Sequence, residues 1–388
     1  MCIVKEVKYM NNKKRKRKRI PTEAARRKKR IAMARFKVLF VVLLIGGGIF
    51  GAVQLNKSIE VPLKVNAENY YRIVENSDVN GLFDGDTGDT GEHVEEVSAS
   101  LSKYNVPQPK LTEEYPIDTV LQSKYAIVYD VQADEVLYAK NAEQKCFPAS
   151  TTKILTAAVI LDNAPEDFQF TAGDELDFVN PESSLAFINK GNVLDLETTI
   201  DALMLPSGND ASYMAAANMG RYISKNDSLS PAEAVQVFVD EMNKTAKLLG
   251  AENTHFTAPD GFHDDDHYTT VLDMLKITLY AMEKPKLMAS AAKPDTYVTF
   301  ISGEEVSWTN SNKLIQETSG DCYYMYANGM KTGMTDQSGY CVVATARRFD
   351  HDIVCLVFGA EASDIRWNET ISLLDAAFVQ VKNRNEGE

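Results

Sequence analysis

The chain has 388 residues, of which 44% are hydrophobic and 25% charged, an ordinary soluble balance with ample length for a buried core. Its net charge of −14 is unevenly placed: residues 1–37 hold 16 Lys or Arg against two acids, so the rest sums to −28. A basic head on an acidic body excludes nucleic acid as the main partner, because the body repels phosphates.

Four regions follow in chain order. Residues 1–37 read as a basic cytoplasmic tail. Val38 to Val53, VLFVVLLIGGGIFGAV, is an unbroken run of apolar residues and glycine that Gln54 and Leu55 extend. At ~1.5 Å per residue it is short for a ~30 Å hydrocarbon core, but flanking side chains can snorkel. Segment 38–55 is therefore expected to be a single-pass transmembrane signal anchor. No small-x-small cleavage site follows it, and the upstream KKRKRKR and RRKK place the body outside the cell. Residues 56–114 read as an acidic linker, since DGDTGDTGEHVEE cannot bury enough apolar surface to fold. Asp84, Asp86 and Glu95 fall near calcium-loop offsets, but Asp89 stands where that turn needs glycine, so a solvated spacer is the better reading. Residues 115–388 read as one globular domain.

In that domain, Tyr125 to Asp130 and Glu135 to Ala139 are expected as a hairpin. A helix is expected from Ser150 through KILTAAVILDN. Ser230-Pro231-Ala232-Glu233 carries a Ser cap, Pro at the first position and Glu three after the cap, so it should open a helix that runs to Leu249 and stops at Gly250. Strands return at Thr296 to Ile301, Glu304 to Trp308, Gly339 to Arg347 and Ile353 to Gly359, and Ser363 can cap a last helix. Strands at both ends with helices between them predict an α+β fold: an antiparallel sheet flanked by helices, with an all-helical lobe. The five cysteines form no CxxC pair, so no structural zinc is expected and buried free thiols are the default.

Three short motifs could carry chemistry. In Phe147-Pro148-Ala149-Ser150-Thr151-Thr152-Lys153, Ser150 and Lys153 stand one helical turn apart. A serine needs a base within reach, and a desolvated neutral lysine can be one. In Leu205-Pro206-Ser207-Gly208-Asn209-Asp210, Pro and Gly mark a tight turn, with Asn209 able to take a left-handed backbone. Its hydroxyl could relay a proton and its amide could hold a carbonyl. In Gly329-Met330-Lys331-Thr332-Gly333-Met334, an edge strand would offer a cation and a hydroxyl to a carboxylate, with Gly333 allowing a ligand backbone to approach. Each motif alone has an ordinary structural explanation: a helix cap, an interhelical turn, an edge strand guarded by lysine. Their order and their spacings of 57 residues from Ser150 to Ser207 and 124 from Ser207 to Lys331 suit one site built from a helix, a turn and a strand.

SxxK, Ser-x-Asn and KTG in this order resemble penicillin-binding proteins and serine β-lactamases, for which these motifs are a known signature. The wider stretches YAIVYDVQADEVLYAKNAEQKCFPASTTKILTA, LMLPSGNDAS, NTHFTAPDGFHDDDHYTT and NGMKTGMTDQSGYCVVATARR resemble the D-alanyl-D-alanine carboxypeptidases among the low-molecular-mass penicillin-binding proteins, from about Tyr125 to Phe378. The resemblance implies a β-lactamase/transpeptidase-like fold and a peptidoglycan stem peptide as substrate, with β-lactam antibiotics as inhibitors. It implies that Ser150 attacks the penultimate D-Ala carbonyl, Lys153 takes the proton and Ser207 helps pass one to the leaving D-Ala. It further implies that Asn209 binds the substrate backbone, that Lys331 and Thr332 of the Lys331-Thr332-Gly333 strand hold the carboxylate, and that the N–H groups of Ser150 and Met334 form the oxyanion hole. Arg366, 35 residues after Lys331, resembles an arginine that family members use near the carboxylate, although a surface arginine in a first helical turn is common. No cofactor is implied. Many members carry a β-rich domain after the catalytic one; with ten residues after Phe378, none is expected here.

Rival readings remain at this stage. A β-lactamase needs a deacylating base, often a Glu, and Thr254 to Thr270 offers Asp and His but no Glu. Endopeptidase action on cross-links shares every motif. A binding protein without activity would keep the motifs too. His263-Asp264-Asp265-Asp266-His267 resembles a metal-ligand cluster, but three consecutive Asp after Gly261 favour a solvated loop.

Overall fold

The computed structural model describes residues 106–387; the basic tail, the apolar run and most of the acidic linker lie outside them. No helix among the described residues is long and apolar enough to cross a membrane. The chain lies against the body from Val106, nine residues before the boundary at 115: Val106 is buried, and Gln108 Nε2 donates to Leu249 O at 3.2 Å.

Five antiparallel strands form the main sheet, in the order β2 (Glu135–Lys140), β1 (Tyr125–Asp130), β9 (His351–Ala360), β8 (Gly339–Arg348) and β7 (Ala327–Thr335). Both faces are covered, so the central strands read as continuous apolar runs although their side chains alternate. On β1, Ala126 and Val128 face the last helix, α7 (Ser363–Gly387), while Ile127 and Tyr129 face the helical lobe. On β9, Ile353, Cys355 and Val357 go with Trp367, Leu374 and Phe378 of α7, and Val354, Leu356 and Phe358 go the other way.

The lobe is built around α1 (Lys153–Asn163), buried from Lys153 to Ile160. A helix apolar on every side has to be central. Around it stand α2 (Leu196–Met204), α3 (Asn209–Ser224), α4 (Pro231–Leu248) and α5 (Val271–Met282), with the short α6 (Pro285–Ala291) beside α2. The Ser230–Glu233 capping box opens α4 as the sequence implies, and Gly250 beyond its end has φ of +75°. Among the described residues two antiparallel strand pairs lie outside the main sheet: β3 (Gln169–Thr171) with β4 (Val193–Asp195), and β5 (Asp295–Thr299) with β6 (Glu305–Thr309). The sheet with its helical insert is the architecture expected from the sequence.

Candidate active site

The expected helix start is different in detail. Ala149–Thr152 forms a 3₁₀ turn with Ala149 at φ of +48°, and α1 begins only at Lys153. The tight turn is wedged between two glycines. A Cβ on Gly261 would meet Ala149 O at 1.9 Å, and one on Gly333 would meet Pro148 O at 2.9 Å and Ser150 N at 3.1 Å. The backbone that approaches Gly333 is therefore the chain's own turn that carries Ser150. Glycine is required where two backbones meet this closely.

Lys153 is fully buried, and its Nζ donates to Ser150 Oγ at 3.1 Å, Asn209 Oδ1 at 2.7 Å and Asp260 O at 2.7 Å. Burial lowers its pKa to about 8, against the opposing pull of Asp260 and Asp210. Asn209 opens α3, and its Nδ2 donates to Asp260 Oδ2 at 2.6 Å, so both ends of the amide serve the protein. One Nδ2 hydrogen remains for a ligand. Asp260 is itself buried and receives Phe262 N–H on Oδ1 at 3.1 Å; burial raises its pKa, opposed by the Lys153 charge.

The left-handed residue of the second motif is Ser207, at φ of +63°, rather than Asn209, which is helical. Ser207 Oγ is buried and has no hydrogen-bond partner. Asp210 accepts the N–H groups of Ala186 and Ile188 at 2.8 and 2.9 Å, and so fixes the loop 180–189 beside α3.

KTG lies on β7, an edge of the main sheet, as expected. Lys331 is buried, and among the described residues its Nζ bonds only the carbonyl of Thr332, at 3.3 Å. Burial, with Lys153 and Arg366 nearby, pushes its pKa well below the usual lysine range. Thr332 Oγ1 shares a 2.7 Å hydrogen bond with Ser311 Oγ, and Ser311 N donates to Leu205 O at 3.0 Å, which ties the strand to the Ser207 turn. Arg366 is no surface side chain: it is buried, and donates to Cys341 O at 3.0 Å and Gly333 O at 3.5 Å while lying over the Trp367 ring. It grips the backbone of β7 and β8 from behind.

A cleft of about 500 Å³ opens onto this constellation, lined by Ser150 and Asn209, by Glu182 of the 180–189 loop, by Phe262, and by Met334 and Asp336 at the end of β7. The histidines of the 263–267 stretch serve separate purposes. His267 is buried; its Nδ1 accepts Thr257 N–H at 3.1 Å, which assigns the Nε2 hydrogen to Thr152 Oγ1 at 2.8 Å. His263 packs edge-on against Phe147. Among the described residues no group of three or more His, Cys, Asp or Glu is disposed to hold a metal.

Sequence reasoning overlooked Asp260 and Ser311. Asp260 lies inside the quoted APDG stretch, where Asp-Gly reads simply as a turn; Ser311 carries no local signal.

A serine bonded to a desolvated lysine, on a helical lobe set against an antiparallel sheet, is an arrangement of the β-lactamase/transpeptidase-like architecture. The chain belongs to the D-alanyl-D-alanine carboxypeptidase family of serine peptidases, whose profile matches residues 111–362. The D-alanyl-D-alanine carboxypeptidase DacF of Bacillus subtilis is 27% identical over 263 residues, 67% of this chain and 63% of that protein; the chain thus spans less than two thirds of that relative. The D-alanyl-D-alanine carboxypeptidase of Streptomyces sp. strain K15 is 30% identical over 252 residues, 62% of this chain and 82% of that protein. The crystal structure of the Streptomyces K15 DD-transpeptidase superposes with a TM-score of 0.61 at 26% identity, covering 68% of this chain and 99% of that one.

Proposed function

We propose that this protein is a serine-type D-Ala-D-Ala carboxypeptidase that removes the terminal D-Ala from peptidoglycan stem peptides and is acylated by penicillins. The observation that carries the reading is the 3.1 Å contact between Ser150 Oγ and the buried Nζ of Lys153. Neutral Lys153 takes the hydroxyl proton as Oγ attacks the penultimate D-Ala carbonyl. The N–H groups of Ser150 and Met334 receive the oxyanion. Lys331 and Thr332 take the terminal carboxylate; among the described residues the buried Nζ of Lys331 has no carboxylate partner, and an incoming carboxylate would favour its charged form, which supports that role. Arg366 acts behind them as a positioning residue through the Gly333 carbonyl. Ser207, with its unpartnered hydroxyl, passes the proton to the departing D-Ala. Water then hydrolyses the ester. Thr254 to Thr270 offers no Glu as a deacylating base, and its buried Asp260 is used to hold Asn209 and the Phe262 N–H, which supports a lasting penicillin adduct over β-lactamase turnover.

Mass spectrometry of the penicillin-treated protein tests this: one peptide containing Ser150 should gain one acyl group. Ser150→Ala should lose both the adduct and D-Ala release, and retained labelling in that variant would sink the assignment.

The segment 38–55 is further proposed to anchor the protein in the cell membrane with the catalytic domain outside, on the strength of its apolar run and basic flank. Protease added to intact cells should remove the domain; a domain protected until lysis would overturn this orientation.

A further inference from the structure

The mouth of the Ser150 cleft carries a charge pattern that the reaction itself does not use. Glu182 stands on one lip, in the loop that Asp210 anchors, and Asp336 on another, in the turn between β7 and β8. Both are exposed, and neither carboxylate has a hydrogen-bond or ion-pair partner among the described residues. Among the described residues that line the cleft, none is Lys or Arg. The basic groups of the site lie deeper: Lys331 is buried on β7, and the Arg366 guanidinium stands behind it. The cleft thus has a positive pole within and a negative pole at its mouth. An anionic rim with no internal partner lowers the potential at the entrance and favours a ligand with positive charge outside the reacting end.

We infer that Glu182 and Asp336 are specificity-determining residues that select stem peptides with a free side-chain ammonium on the residue preceding D-Ala-D-Ala. The inference rests on the carboxypeptidase reading for its substrate. The carboxylate end of such a peptide meets Lys331 and the ammonium meets the two carboxylates at the rim. An amine already converted to an amide by a cross-linking reaction loses its charge and with it this attraction. The enzyme should therefore prefer peptides whose amine has not yet been spent.

The full-length protein is tested with Nα-acetyl-L-Lys-D-Ala-D-Ala and its Nε-acetyl derivative, following D-Ala release at low ionic strength. Two exposed carboxylates imply a kcat/KM ratio of about fivefold in favour of the free amine. Added salt should shrink it. In Glu182→Gln/Asp336→Asn the ratio should fall toward one. In Glu182→Lys/Asp336→Lys the preference should pass to the Nε-succinyl peptide. A wild-type ratio of one, or a ratio the double neutral variant leaves unchanged, overturns the inference while D-Ala release keeps the carboxypeptidase reading intact. A parallel measurement is independent of that reading: the acylation rate of Ser150 by ampicillin, which carries an ammonium, against N-acetylampicillin. If neither peptide releases D-Ala, the carboxypeptidase reading fails. The charge selection then stands only if the ampicillin preference drops in the neutral variant, and falls if it does not.

Discussion

At Lys153, hydrogen-bond geometry decides which way the reactive lone pair points. A neutral amine has two N–H donors and one acceptor position. Asp260 O is an acceptor only, and Asn209 Oδ1 is held toward Lys153 because Nδ2 is engaged by Asp260 Oδ2. These two acceptors take both hydrogens, so the lone pair faces Ser150 Oγ. Asp260 therefore orients the base twice, through its own carbonyl and through Asn209. Acylation requires the neutral amine, so its rate should rise with pH, about tenfold per unit below the lysine pKa of about 8, and level off above it. The Asp260 charge raises the Lys153 pKa against the effect of burial. Asp260→Asn should thus move the midpoint to lower pH, and Asp260→Ala, which leaves Asn209 Nδ2 without an acceptor, should also cut the plateau by about tenfold or more. Stopped-flow acylation by a chromogenic cephalosporin from pH 6 to 10 reads both effects; a midpoint that stays put in Asp260→Asn would remove the electrostatic half of the argument.

At the scale of elements, the site depends on how closely β7 approaches the 3₁₀ turn that carries Ser150. β7 is locked in register with β8 over Gly329 to Thr335 and gripped by Arg366, so it cannot retreat. A methyl group at Gly333 would press on Pro148 O, Ala149 Cβ and Ser150 N at 2.9 to 3.1 Å. The turn must then move, and it holds Ser150, the proposed nucleophile. Gly333→Ala should cost about 1–3 kcal/mol of stability, the usual range for overpacking. It should slow Ser150 acylation at least tenfold, since misplacement of reacting groups is costly. Thermal melting and acylation rates measured on one preparation separate the two, and an unimpaired rate would show that the turn yields without displacing Ser150. This close approach also marks a limit of sequence reading. The strand and its KTG were legible from the motif and the apolar strand that follows, but the motif alone suggested a ligand's backbone beside Gly333. Which backbone comes near depends on residues about 180 positions away in the chain. Likewise the capping box of α4 was legible because every part of it lies within four residues, whereas the three-residue strands β3 and β4 show too short a pattern to register.

Across the whole molecule, the separation along the chain of the groups that meet explains what could be read from the sequence and what could not. Ser150 and Lys153 share one turn and were visible. Asp260 meets Asn209 across 51 residues and Lys153 across 107, so only the fold reveals it. The same holds for His267, which meets Thr152 across 115 residues; by local pattern it belonged to a solvated acidic loop, yet it is buried between Thr152 and Thr257. Its burial makes the stability of the folded protein depend on pH. Burial lowers the His267 pKa from the ordinary 6.5 to about 3, helped by the neighbouring His255. The unfolded chain therefore takes up a proton near pH 6.5 that the folded one refuses until about pH 3. The stabilisation is complete above 6.5 and is lost as pH falls between those values. Between pH 7 and pH 5 the loss from this one side chain amounts to about 2 kcal/mol. His267→Phe should be less stable at pH 7, because Thr152 Oγ1 and Thr257 N–H lose their partner. Its further loss on going to pH 5 should be smaller than the wild type's by about 2 kcal/mol. Urea unfolding of both proteins at the two pH values measures this difference, in which the common contribution of the carboxylates cancels. Parallel losses would mean that the imidazole becomes protonated in the folded protein near its ordinary pKa, and that the Thr152–His267–Thr257 link survives with a charged ring.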